Sequence, residues 1–224
     1  DHNEDYDTYD YLGSNPAGYV KWFFDACAKQ RNRLYEQYIK EHRMVVAQAD
    51  VEDVKRRKVK TPLQRVVQIL KRHRDIKFAD DNSGNKPISI IITTIAGRLY
   101  EEEDNIYDAL FNILSKAPSW IMNNRKGQQF YIENPSYKGE NFADKWNTHP
   151  ERATAFLQWL YTARKDLVDG SLLQYNRIEM GSHLKECFGS ETGKAVFNNE
   201  AEAVRSAIAA GTLKVDTSTG NISM

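Results

Sequence analysis

Along most of the chain, apolar side chains return every three to four residues, the period of helices buried on one face. From Pro16 to about Met44, the residues Tyr19, Trp22, Phe23, Ala26, Leu34, Tyr38 and Ile39 share one broad face. Asn15 followed by Pro16 supplies a capping side chain and a residue suited to the first helical position. One long helix is expected there. Thr61-Pro62-Leu63-Gln64 has the pattern of a capping box, in which Thr61 and Gln64 satisfy each other's backbone N–H groups. Leu63, Val66, Val67, Leu70 and Arg74 follow at helical spacing, so a second helix should run to about Asp75. Further helices are expected over about Asp104 to Ser115 and from a second capping pattern, Thr148-His149-Pro150-Glu151, to about Val168, with Phe156, Trp159, Leu160 and Leu167 inward. Ser171 to Phe188 should be helical, continuous or broken. Asn199 to Ala210 should be helical and stop at Gly211.

The remaining segments have weaker signals. Residues 45–60 read as a connection and Asp80 to Asn85 as a loop. Pro87-Ile88-Ser89-Ile90-Ile91-Ile92-Thr93-Thr94-Ile95 has the propensity of a buried strand, yet Pro87 could open a buried helix to about Glu102. Periodicity does not choose between them. Gln128 to Glu133 reads as a short strand, Asn134 to Gly139 as a loop, and Leu213 to Ile222 as a small hairpin. The class is mainly α with a short β-hairpin or minor strands, and no internal repeat is present.

Composition narrows the function classes. The 224 residues suit one large domain, and 41% apolar with 28% charged residues fits a globular protein. Lys+Arg and Asp+Glu balance at 31 each, which argues against a generally polyanion-binding surface. Charge is nevertheless uneven: Lys55 to Lys77 carries ten Lys/Arg against one acid, Asp75. Such a block is either a solvated basic face or a surface for phosphates. Cys27 and Cys187 have no metal-ligand spacing and read as reduced core residues of a cytoplasmic protein. The five histidines show no metal spacing either, and His73, among arginines, reads as a surface or cleft residue. No apolar run approaches the ~20 residues that span a membrane, so no membrane partner is expected. The opening Asp1-His2-Asn3-Glu4-Asp5-Tyr6-Asp7 carries neither strand nor helix signal and reads as the middle of a longer protein.

Four stretches in fixed order resemble a known family. They are Ser14-Asn15-Pro16-Ala17-Gly18-Tyr19-Val20-Lys21-Trp22-Phe23, Thr61-Pro62-Leu63-Gln64-Arg65-Val66-Val67-Gln68-Ile69-Leu70-Lys71-Arg72-His73-Arg74-Asp75, Lys86-Pro87-Ile88-Ser89-Ile90-Ile91-Ile92-Thr93-Thr94, and Glu140-Asn141-Phe142-Ala143-Asp144-Lys145-Trp146. Together, over about residues 10–215, they are similar to the second half of bacterial CD-NTases, relatives of cyclic GMP–AMP synthase and oligoadenylate synthase. The resemblance implies a helical C-terminal lobe of a two-lobed nucleotidyltransferase over residues 14–224. Residues 1–13 would be the linker from an N-terminal catalytic lobe. It also implies that residues 88–95 are helical. In that family three acids of the N-terminal lobe hold two Mg²⁺ ions for nucleotidyl transfer. This sequence has no Gly-Ser motif followed by paired acids on a strand; Gly13-Ser14 precedes a helix, and Asp5-Tyr6-Asp7 lies in no apolar strand. No catalytic or metal-ligating residue is therefore expected in this chain, which by itself should be inactive.

The resemblance further implies what such a lobe contributes. Lys71 would lie against the triphosphate of ATP, GTP or another nucleoside triphosphate, a role suited to a flexible point charge. Ser89 would present a hydroxyl to the base. Lys86 could reach the same cleft, and Arg74 is a further candidate unless it pairs with an acid inside the lobe. Trp146 should be packed, and Asn141 should satisfy loop backbone. With its other lobe the protein would join nucleotides into a cyclic di- or trinucleotide, a signal in anti-phage defence, under control of regulatory protein partners. The alternatives are a free-standing nucleotide- or nucleic-acid-binding helical module without catalysis, and a protein-interaction domain.

Overall fold

A computed structural model describes residues 15–41, 60–169 and 177–190, together with residues 214, 215, 222 and 223. Within these, eight α-helices dominate: α1 (Pro16–Asp25), α2 (Ala28–Glu41), α3 (Pro62–Lys77), α4 (Ser89–Leu99), α5 (Ile106–Asn123), α6 (Asp144–Thr148), α7 (Pro150–Arg164) and α8 (Arg177–Phe188). A π-helical segment, Lys165–Asp169, extends α7. Strands β1 (Lys214–Val215) and β2 (Ile222–Ser223) pair antiparallel, Lys214 opposite Ser223 and Val215 opposite Ile222, as the expected hairpin. The mainly helical class holds. The helix expected over 199–210, the connection at 45–59 and the opening segment 1–13 lie outside the described residues.

Helix α3 forms as its cap pattern dictates. The Gln64 amide donates to Thr61 Oγ1 at 3.3 Å, and Gln64 Oε1 accepts from the Thr61 amide at 2.9 Å. Its inward stripe, Leu63, Val66, Val67 and Leu70, is buried. The core joins α3, α4, α5 and α7. An aromatic chain runs through one end of it: Phe130, Trp146, Phe156 and Trp159, with centroid distances of 5.6, 5.0 and 5.5 Å.

Residues 89–99 are helical, which decides the open choice. A buried helix can hold a β-branched run when packing surrounds it. Ile91, Ile92, Thr94 and Ile95 are all buried. The two threonines turn their hydroxyls onto the preceding turn, Thr93 Oγ1 to Ser89 O at 2.9 Å and Thr94 Oγ1 to Ile90 O at 2.8 Å.

Several sequence expectations need correction. The long first helix is two helices, parted at Ala26–Cys27, where the Cys27 amide bonds to Phe24 O at 3.3 Å and the Cys27 side chain is fully buried. Helix α5 runs well past Ser115, through Pro118, because Ala117 and Ile121 continue its buried stripe. That packing outweighs the ~3 kcal/mol a helical proline costs. No strand forms over 128–133. Asn141 takes the place of a partner strand instead, accepting from the Ile132 amide at 2.8 Å and donating to Phe130 O at 2.9 Å. Thr148 does not cap α7: its hydroxyl donates back to Lys145 O at 3.3 Å, and His149, at the cap position, makes no side-chain cap bond. The expected packing of Trp146, and the backbone role of Asn141, both hold. Cys27 and Cys187 are free and buried. No helix among the described residues is long and apolar enough to cross a membrane.

Candidate functional site

The expected site residues fall on α3 and on the turn that opens α4. On α3, spacing of three and four puts Lys71, Arg74 and Asp75 on one stripe. Arg74 is buried, its side chain 9% exposed. Its Nη1 donates to Pro87 O and to Ser89 Oγ, both at 2.9 Å. Its Nε and Nη2 donate to Asp75 Oδ1 at 3.1 and 2.8 Å. Lys86 Nζ reaches the same Asp75 oxygen at 2.7 Å. Burial alone would raise the Asp75 pKa, but the hydrogen bonds from Lys86 and Arg74 win and hold it below the usual carboxylate range. The structure thus brings Arg74, Ser89 and Lys86 into one network around Asp75. Arg74 pairs with an acid of its own chain, the alternative its sequence context allowed.

Lys71 differs from its neighbours. Arg72 donates to Phe188 O at 3.0 Å and Lys77 pairs with Asp166 at 2.9 Å, while Arg74 and Lys86 share Asp75. Half-buried Lys71 makes no hydrogen bond or ion pair among the described residues. One turn further along the stripe Arg74 bonds Ser89, where α4 begins with Ile88 at the cap position and no capping side chain. Its first amides and helix dipole therefore present positive potential.

Two concavities flank this turn. A cavity of about 480 Å³ lies between residues 84–88 and 139–146, with Lys86, Ile88, Phe142, Lys145 and Arg152 in its wall. An apolar slot of about 280 Å³ is lined by Tyr19, Val20, Ile90 and Phe142, with Asn134 and Glu140 at its edge. Tyr19 is fixed there by a 2.9 Å bond to Thr94, and burial pushes its phenol up to about 12. Sequence reading missed Asp75 as the hub, and Phe142 and Arg152 as lining. The Asp75 signal was present, as the one acid in the basic block. The other two depend on contacts between distant segments.

His73 is not a surface residue: it is 0% exposed. The Trp159 indole N–H donates to its Nδ1 at 3.1 Å, and its Nε2 faces Asp166 Oδ2, also at 3.1 Å. Burial, the largest influence, depresses its pKa despite Asp166. Asp166 itself sits below the usual range because the bonds from His73 and Lys77 outweigh burial. His73, Asp166 and Cys187 offer ligand atoms within 4.8 Å of one another. They do not fit a divalent cation. An imidazole accepting at Nδ1 carries its proton on Nε2, leaving no lone pair for a metal. Lys77 already occupies the Asp166 carboxylate, and burial pushes the Cys187 thiol up to about 12. Mg²⁺, which takes oxygen ligands, fits least.

No protein-family model matches the chain. It is 32% identical over 195 residues to a c-di-GMP synthase of Roseivirga ehrenbergii, a match covering 87% of this chain and 49% of that protein. It is 26% identical over 167 residues to cyclic dinucleotide synthase CdnG of Bradyrhizobium diazoefficiens, covering 70% of this chain and 39% of the relative. The chain therefore spans half or less of the length of these curated relatives. In fold it resembles the solved structure of the Bradyrhizobium diazoefficiens CD-NTase CdnG in complex with GTP, with a TM-score of 0.59 and 23% identity, covering 83% of this chain and 55% of that one.

Proposed function

Because the chain is a homologue of the CD-NTase cyclic dinucleotide synthases, we propose that it is the helical C-terminal lobe of a cyclic-oligonucleotide synthase. In this reading it forms the wall of the cleft that holds a nucleoside triphosphate. The observation that carries it is Lys71, a half-buried cation without a partner among the described residues, beside engaged neighbours. Lys71 neutralises the triphosphate. The uncapped first turn of α4 adds amide donors, as helix N-termini do for phosphates. Ser89 donates its hydroxyl, Lys86 lends charge at the rim of the cleft, and Arg74 stands behind Ser89. The apolar slot at Ile90 and Phe142 has room for a base against its walls. The relative's name, c-di-GMP synthase, makes GTP the first nucleotide to try. Acids and Mg²⁺ for nucleotidyl transfer belong, in this reading, to an N-terminal lobe, and signalling in anti-phage defence to the whole protein.

The test is titration of the purified protein with GTP by calorimetry, with ATP in parallel. Native protein should bind GTP, and Lys71→Glu should weaken binding at least tenfold with an unchanged circular dichroism spectrum. Equal affinity in native and Lys71→Glu protein would remove Lys71 from the site, and no binding by native protein would sink the reading. Tighter binding of duplex RNA or DNA than of GTP would favour the nucleic-acid module.

A further inference from the structure

We propose that Arg74 is a positioning residue that acts on the nucleotide through the Ser89 hydroxyl, an inference that rests on the nucleotide-cleft reading above. A serine hydroxyl has one proton to give and two lone pairs to receive. Arg74 Nη1 fills a lone pair of Ser89 Oγ at 2.9 Å. A guanidinium accepts nothing, so the serine proton cannot return to it. Among the described residues Ser89 Oγ has no other partner. Its O–H therefore stays available to an acceptor outside α4. A cation against the oxygen also polarises the O–H bond, and bonds with charged partners are the stronger ones.

The same guanidinium fixes where that hydroxyl stands. Nη1 also holds Pro87 O at 2.9 Å, two residues before Ser89, so the turn into α4 is tied to α3. On the far side Nε and Nη2 grip Asp75, which Lys86 shares at 2.7 Å. Three directions are served by one planar fork. Lysine, a point charge on a flexible stem, cannot serve them together. Arg74 itself stays buried, so it touches no ligand and acts through another residue.

The experiment is a double-mutant cycle in GTP affinity, with Arg74→Lys, Ser89→Ala and the pair, each measured well below its melting temperature. Ser89→Ala should weaken GTP binding about tenfold, as loss of one hydrogen bond to the nucleotide does. Arg74→Lys should cost a similar factor, and the double variant should lose little more than either alone. A merely structural arginine would instead add its loss to that of Ser89→Ala, and this additivity would overturn the proposal. So would unchanged affinity in Arg74→Lys beside a weakened Ser89→Ala. Should Arg74→Lys fail to fold, Asp75→Asn loosens the same fork from its more exposed end. It should lower affinity about threefold in the native background and not at all in the Ser89→Ala background; equal losses in both would overturn the proposal. If native protein binds no GTP, the cleft reading falls and this inference with it. If native protein binds and the losses add, this inference alone falls.

Discussion

His73 shows how much one buried side chain can decide. It accepts from Trp159, faces Asp166 and is closed off from water, so it is held neutral, with its pKa below the ordinary value. A depressed pKa means that the unfolded chain takes up a proton below about pH 6.5 while the folded one does not. Stability from this residue is therefore complete above that pH. It falls as the pH drops toward the folded pKa, by at most ~1.4 kcal/mol per pH unit. Asp166, likewise depressed, adds a further loss below about pH 4. Thermal melts at pH 7.5 and 5.0 check this. The native protein should lose more melting temperature between the two than His73→Gln, which starts lower because the Trp159 and Asp166 partners are disturbed. Parallel pH profiles would show that His73 does not titrate on unfolding.

Close approach of α1 and α4 at the level of the element depends on Gly97. A Cβ there would meet Trp22 Cη2 at 2.6 Å. Trp22 has little freedom to retreat, since its ring lies 5.4 Å from Tyr19 and 6.5 Å from Phe23, with Arg98 over it at 5.6 Å. Gly97→Ala gains about 1 kcal/mol of helix propensity. Overpacking a fitted contact costs about 1–3 kcal/mol. The net expectation is a loss near 1 kcal/mol, seen as a melting temperature lower by about 2–4 °C. Trp22→Phe should be less damaging in the Gly97→Ala background than in the native one. If Gly97→Ala melts higher than native, Trp22 yields more easily than its neighbours suggest.

At the scale of the whole molecule, α8 is fastened by groups that also run through α3. Arg72 donates to Phe188 O, Lys77 lies 3.5 Å from Glu186, and His183 Nε2 lies 2.7 Å from Asp166 O. The π-helical segment carries Asp166 and buries Val168. Arg72 and Lys77 thus lock α3 to α8, while His73 ties α3 to α7 and to the π-helical segment. The one His/Asp/Cys group close enough to share an ion among the described residues, His73, Asp166 and Cys187, does not fit a divalent cation. Incubated with GTP, ATP and Mg²⁺, the 224-residue chain by itself should yield no cyclic dinucleotide, measured by chromatography of the products. A cyclic product would show that the chain holds a complete catalytic centre.

Much was legible from sequence because it is short-range. The Thr61 and Gln64 box, the apolar stripe from Leu63 to Leu70, the Asn15 cap and the hairpin at the end all depend on residues within a few positions of each other. Lys71 was singled out because the resemblance and the local charge pointed to it. Tertiary structure alone decided the rest. Whether 89–99 coils or extends depends on packing around Ile91, Ile92 and Ile95, which local propensity does not see. The burial of His73 depends on Trp159 and Asp166, 86 and 93 residues away. Arg74 was placed on the inner stripe by periodicity, yet its bond to Ser89 needed the loop between α3 and α4 to fold back. Local pattern sets which segments coil and which face is apolar. The partner of a buried polar group is set by whichever distant segment packs against it, because the cost of leaving it unpaired is met only in the folded molecule.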